Sequence, residues 1–329
     1  MRKPLTAWGA AALAGALALS GCASDTPSGD NTDMITIGIN QLVSHPSLDA
    51  TADGFKKAFA DAGYVEGETV KFDLQNAQAD QATAVTIANK FASDKVDLVL
   101  AIATPAAQAS AQAITSIPVL FTAVTEPQEA GLVDSWEKPG DNVTGTSDLN
   151  PVEEQLALVK EIAPDASTVG IVYSSGEVNS AVQVDLAKKA AKGLGLTITE
   201  ATISNSSEVA QAVESLGDVD AFYIPTDNAV VESLESVIQV AESKKIPLIV
   251  GEGDSVERGG LATYGLDYFD LGYQTGKMAI RILKDGEKPA EMAVETLDKI
   301  SLVLNPAAAE RMGVTLSDEL LTRADTVLE

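Results

Sequence analysis

The sequence predicts an α/β protein of two Rossmann-like lobes with parallel sheets, joined by a hinge of about three crossovers. Short β-branched runs alternate with helix-patterned runs along most of the chain. The order of those runs is written twice. The polar stretches between and after the copies have the composition of chain crossings.

In the first copy, Ile35-Thr36-Ile37-Gly38-Ile39 reads as a strand, and a polar loop separates it from a helix. Leu48, Phe55, Phe59 and Ala62 fall on one face of that helix, and Gly63 stands where a C-cap belongs. Val70 to Leu74 alternates as a strand, and Ala82 to Phe91 is helical. Val96 to Leu100 reads as a buried strand, a helix starts near Pro105, and Ile117 to Phe121 is a further strand. The second copy answers in register. Val169-Gly170-Ile171-Val172-Tyr173 repeats the opening strand, and Leu194-Gly195-Leu196 repeats the close of the first helix. Val219 to Tyr223 and Ile246 to Ile249 answer the last two strands. Two such β-α-β-α-β-α-β units imply two parallel sheets with helices on both faces.

Crossings are expected at Asn142 to Pro151, at Thr263 to Asp267 and around Glu287 to Leu297, where Pro289 breaks a helix. The expected N-terminal lobe is then 34–147 plus about 266–288, and the C-terminal lobe 148–265 plus about 289–329. Each lobe is discontinuous in sequence, which suits hinge closure.

The chain opens with Arg2 and Lys3, an uncharged Ala- and Leu-rich run from Leu5 to Leu19, and Leu19-Ser20-Gly21-Cys22. The run is too short to span a bilayer and has the layout of a secretory signal. The tetrapeptide looks like a lipobox, which makes Cys22 the expected lipidation site and 1–21 the signal peptide. Residues 22–33 read as a flexible polar tether. Cys22 is the sole cysteine, so no internal disulfide is available. Formal charge is −26, which repels nucleic acid and anionic headgroups. A monomer anchored to the cell membrane only through its lipid is expected.

Enzyme signatures are missing. The only histidine is His45, and no G-x-S-x-G elbow occurs. Gly272 to Lys277 lacks the spacing and hydroxyl of a phosphate loop, and Gly193-Leu194-Gly195 follows a helix rather than opening one. No metal-ligand pattern is present, and no cofactor is expected. Among 48 acidic residues a hydrolytic carboxylate pair stays open.

Ligands of open parallel sheets bind beyond the carboxyl ends of the strands. The loops there supply the candidates Ser44, His45, Ser47, Thr104, Thr122 and Thr125 from the first copy. The second copy supplies Ser174, Ser175, Glu177, Asn179, Ser180, Thr226, Asp227, Asn228, Gly251 and Glu252, and the crossings Ser147, Asp148, Tyr264 and Asp267. Ser, Thr, Asp and Asn at these places also serve as helix N-caps. Asn179 and Ser180, at a helix start, are expected to hold an anionic oxygen, and Asp227 an ammonium. That pair of sites matches a free amino acid.

The residues also resemble a known group. His45-Pro46-Ser47-Leu48-Asp49-Ala50, Ala103-Thr104-Pro105-Ala106-Ala107-Gln108, and the run from Pro118 to Thr125 carry the resemblance in the first copy. Asn142 to Asp148, Gly176 to Ser180, Pro225-Thr226-Asp227-Asn228, and the stretch from Leu261 through Gly276 carry it further on. They are similar to the ABC-transporter substrate-binding lipoproteins of the tryptophan/tyrosine-type group. The resemblance implies a type I periplasmic-binding-protein fold, partnership with a permease and its ATPase, and an aromatic or other hydrophobic amino acid as ligand. Ser47 and Ser174-Ser175 depart from the group's usual residues, which bears on the exact ligand. A sugar, nucleoside or purine is the alternative ligand, and sensing for a membrane kinase the alternative role.

Overall fold

The computed structural model describes residues 34–329. The expected signal peptide and tether, with Cys22, lie outside the described residues.

Residues 35–145 form β1 (Ile35–Gln41), α1 (Pro46–Asp61), β2 (Val70–Asn76), α2 (Gln81–Asp94), β3 (Leu98–Ile102), α3 (Thr104–Ala113), β4 (Val119–Thr122) and β5 (Val143–Gly145). The strands make a parallel sheet of order β2-β1-β3-β4-β5. Its middle strand β3, Leu-Val-Leu-Ala-Ile, is buried along its whole length, as expected for a strand covered on both faces.

The chain then crosses to a second lobe: α4 (Val152–Ile162), β6 (Thr168–Ser174), α5 (Val178–Leu194), β7 (Thr197–Ile203), α6 (Val209–Ser215), β8 (Ala221–Ile224), α7 (Asn228–Glu232), α8 (Leu234–Lys244), β9 (Leu248–Val250), α9 (Gly253–Glu257) and β10 (Ala262–Gly265). Helix α10 (Tyr268–Ile280) returns to the first lobe. The last stretch adds β11 (Ser301–Leu304), α11 (Pro306–Arg311), α12 (Asp318–Arg323) and β12 (Thr326–Val327) to the second. That sheet runs β12-β11-β10-β9-β8-β6-β7. It is not wholly parallel: β11 lies antiparallel to β10, and β12 follows β11. A strand arriving from the other lobe has no βαβ crossover to set its direction, so the parallel rule does not bind it.

The third crossing falls at the far end of the expected stretch, so the lobe boundary shifts. Thr144 Oγ1 donates to the Met292 carbonyl (2.8 Å), Glu295 N to Gly145 O (3.0 Å), and Ser147 N to Glu295 O (2.9 Å). Residues 292–295 therefore run beside β5, and the second lobe is rejoined after Glu295 rather than at about 289.

Helix α10 seats on α1 through small residues. A β-carbon at Gly272 would overlap the Thr51 carbonyl, one at Gly54 the Phe269 carbonyl, and one at Gly276 would sit 2.6 Å from the Ala58 Cβ. These glycines let two backbones touch, which explains the glycine spacing noted in the sequence. Leu271 and Met278 thereby join Phe55 and Phe59 in the first-lobe core. The opposite face of that sheet holds Phe91, Ile114 and Phe121, and the second lobe has one core of its own.

Candidate ligand-binding cleft

Between the carboxyl ends of the two sheets lies a small cavity of about 20 Å³. His45, Ser47 and Leu48 enter from the start of α1, and Ala123 and Thr125 from the loop after β4. Asp148 and Tyr268 come from two crossings. Asn179 comes from the start of α5, Thr226, Asp227, Asn228 and Val231 from the segment after β8, and Glu252 from the turn after β9. Three carboxylates line the cavity and no lysine or arginine does.

The second-lobe wall is internally committed. Asp227 is fully buried and caps α7: its Oδ1 accepts from Val230 N (2.9 Å), and its Oδ2 from Ser174 N and Ser180 Oγ (both 2.6 Å). One carboxylate thus ties the ends of β6 and β8 to the start of α5. Burial raises its pKa, against the pull of these donors. Glu177 accepts from the amides of Asn179 (3.1 Å) and Asn228, and burial and the Asp227 charge push its carboxyl up. Glu252 accepts from Ser255 N (2.9 Å) and the Ser255 hydroxyl, capping α9, and burial pushes it up to about 7.

These bonds change the roles expected from sequence. The Ser180 hydroxyl donates to Asp227 and is not free for a ligand carboxylate. The Asn179 amide nitrogen faces Glu177 Oε2, Thr226 O (3.2 Å) and Ser180 Oγ (3.3 Å), so its oxygen is the atom left over, buried and without a donor. The α5 start therefore offers the cavity an acceptor where a donor was expected. Asp227 lines the cavity too, yet it also holds the lobe together.

Two crossings meet at Asp148. Its buried carboxylate accepts from Thr125 Oγ1 (3.0 Å) and from the Tyr268 hydroxyl (2.7 Å), and burial raises its pKa. Asn150, two residues on, accepts from Leu266 N (3.2 Å), a second tie between the same crossings.

The first-lobe wall is different. Both ring nitrogens of His45 and the Ser47 hydroxyl are buried without a hydrogen-bond partner. Burial, with the Arg258 charge adding to it, lowers the His45 pKa to about 3, so the ring is neutral. Ser47 lies beside the Glu252 and Asp254 carboxylates across the cleft without bonding geometry to either. Ala123 sits at φ +53°, a conformation alanine rarely adopts, at the floor of the same cavity.

The remaining expected residues lie elsewhere. Ser44, Ser175 and Asp267 are exposed: Ser44 donates to Asp49 Oδ2 (2.7 Å) and Asp267 caps α10 through Asp270 N (2.9 Å). The Thr122 hydroxyl accepts from Thr146 Oγ1 (3.0 Å), and Ser147 Oγ donates to the Thr125 carbonyl (2.8 Å). Gly251 and Tyr264 offer their carbonyls to Gln155 Nε2 (3.0 and 2.6 Å). Ser174 and Glu177 line a neighbouring polar groove, and Thr104 is buried outside the cavity with its hydroxyl unpartnered. Leu48, Ala123, Val231 and Tyr268 line the cavity but were not expected. Leu48 was assigned to a core face, and only the position of Tyr268 beside Asp267 at a crossing pointed to the site.

The family model "ABC transporter substrate binding protein" matches residues 36–328. A tyrosine-binding protein from Clostridioides difficile (strain R20291) is 46% identical over 304 residues, covering 90% of this chain and 88% of that one. An ABC domain from Streptococcus pneumonia solved with L-Trp is 38% identical. It covers 90% of this chain and 100% of its own, with a TM-score of 0.86. A ligand-free, open substrate-binding protein from Clostridium difficile is 45% identical over 90% of this chain and 99% of its own, yet its TM-score is 0.68. The present structure thus superposes better on the structure solved with L-Trp than on the ligand-free, open one, although sequence identity runs the other way.

Proposed function

The chain belongs to the ABC transporter substrate-binding protein family, and we propose that its own ligand is an aromatic L-amino acid held between the two lobes. One observation carries the reading. Buried polar atoms without partners, on His45, Ser47 and Asn179, converge on a cavity among three carboxylates and the apolar Leu48, Ala123 and Val231. Buried polar groups ordinarily find partners, so their convergence marks the place of a polar ligand. The acidic wall favours a ligand with an ammonium group over an uncharged sugar or nucleoside. The tyrosine-binding and L-Trp-bound relatives support the same class.

Delivery to a permease and its ATPase, a monomeric and non-catalytic state, and anchoring through a lipid on Cys22 complete the proposal. Such proteins work outside the cytoplasm, and among the described residues no helix is long and apolar enough to cross a membrane. Calorimetric titration with L-tyrosine, L-tryptophan, L-phenylalanine, a sugar panel and nucleosides tests the ligand. Binding of an aromatic amino acid alone is expected; binding of a sugar or nucleoside in its place overturns the reading. A Cys22→Ala chain that still partitions with membranes at the same modified mass overturns the anchor.

A further inference from the structure

Which end of a zwitterionic ligand faces the second lobe depends on how one amide is turned. We propose that Glu177 is a positioning residue that fixes the Asn179 side chain with its oxygen toward the cavity. The second lobe then accepts a hydrogen bond from a ligand ammonium and turns away a ligand carboxylate. This inference rests on the amino-acid reading above.

The orientation of the amide is determined by its neighbours. Asn179 Nδ2 lies 3.1 Å from Glu177 Oε2 and 3.2 Å from the Thr226 carbonyl. A flipped amide would set its oxygen against the Thr226 carbonyl, which cannot donate, and against a Glu177 oxygen that already accepts from the Asn228 amide. Ser180 offers no relief, because its hydroxyl hydrogen is directed to Asp227 Oδ2 at 2.6 Å. Glu177 is itself held from a second side, since the Asn228 amide donates to the same Oε2. Glu177 reaches Asn179 without lining the cavity, and so acts through it.

The consequence is chemical selection. The Asn179 oxygen is buried, unpartnered and beside a carboxylate whose two oxygens already accept three hydrogen bonds. Asp227 supplies negative field, and the amide oxygen supplies a free lone pair. Together they suit a cationic N–H donor and disfavour an anion.

The test compares L-tyrosine with its des-amino analogue, 3-(4-hydroxyphenyl)propionate, by calorimetric titration of wild-type protein and variants. Wild type is expected to prefer L-tyrosine by about a hundredfold or more, the loss expected when a buried charged group is left unpaired. Glu177→Leu, which removes the acceptor, should narrow that preference by about tenfold or more. Glu177→Gln keeps an acceptor oxygen for both amides and should retain the preference to within about threefold. Equal weakening of both ligands by Glu177→Leu means a merely structural role and overturns the proposal. Collapse of the preference in Glu177→Gln overturns it too, because charge rather than positioning would then decide. Should Glu177→Leu fail to fold, Asn179→Leu removes the oxygen itself, and a preference kept there overturns the proposal. Wild type that binds no amino acid overturns the amino-acid reading instead.

Discussion

On the second-lobe wall, Asp227 and Glu252 direct their oxygens to backbone N–H groups and hydroxyls of their own lobe. On the first-lobe wall, His45 and Ser47 hold buried polar atoms that make no hydrogen bond. Apart from the Asn179 oxygen, the second wall has its desolvation offset before any ligand arrives. The first wall has it offset only by something that enters the cleft or by re-exposure to water when the lobes part. Preorganisation therefore belongs to the second lobe, and response to occupancy to the first.

Removing a capping carboxylate should break this contrast most visibly. Asp227→Ala strips a cap from α7 and leaves the Ser174 and Val230 amides unpaired in the interior. A loss of about 3 kcal/mol in the stability of the ligand-free protein is expected, read by denaturant unfolding. A loss below about 1 kcal/mol would show that the wall is not preorganised by Asp227. This outcome differs from a residue that only pairs with ligand, whose removal would spare the fold.

The next largest effect is on pH dependence. Burial raises Glu252 from 4.5 to about 7. A raised carboxyl favours the protonated folded form, so stability should increase as pH falls from about 7 toward 4.5, by at most roughly 3 kcal/mol from this group. Glu252→Gln should remove that increase in thermal unfolding followed across the window, and an unchanged slope would refute the assignment. Asp220 acts in the opposite sense and in another range. It accepts from the Ser167 and Thr168 amides and is lowered to about 2, so its contribution is present above 3.8 and disappears as pH falls through about 2.

On the first wall, Ser47→Ala deletes a hydroxyl that satisfies nothing in the protein. Stability should stay within about 0.5 kcal/mol. Affinity for L-tyrosine should change by up to about tenfold, if the ligand reaches that hydroxyl. A large loss of stability would mean that the two walls are alike after all. The smallest effect is expected at Ser175, which is exposed beside the cleft but outside the cavity. Ser175→Ala should leave both stability and titration unchanged, and a clear shift in affinity would extend the site outward.

The duplicated β-α pattern was legible because buried parallel strands leave continuous apolar runs such as Leu98 to Ile102 that tertiary context does not disguise. Strands β11 and β12 were not. They are two to four residues long; β11 owes its place to pairing with β10, remote in sequence, and β12 to pairing with β11. In the cleft, residue type located the wall: His45, Ser47, Asn179 and Asp227 all line the cavity. It did not reveal direction. Whether Asn179 offers a donor or an acceptor depends on Glu177, Thr226 and Ser180, which the fold alone brings together. Tyr268 escaped notice for a related reason, since its contact with Asp148 joins positions 120 apart.

Helix α10 has a consequence for the order in which the protein can be made. The first lobe begins near Ile35, but Leu271 and Met278 of its core lie beyond the whole stretch from α4 to β10. A chain emerging from its N-terminus, at the ribosome or on the far side of a membrane, must hold the side of α1 that α10 covers, with Gly54 and Ala58, open until α10 has followed. The lobe that starts first is completed only after most of the second has been made. Through that interval it presents an apolar helix face of the kind that chaperones of nascent and exported chains protect.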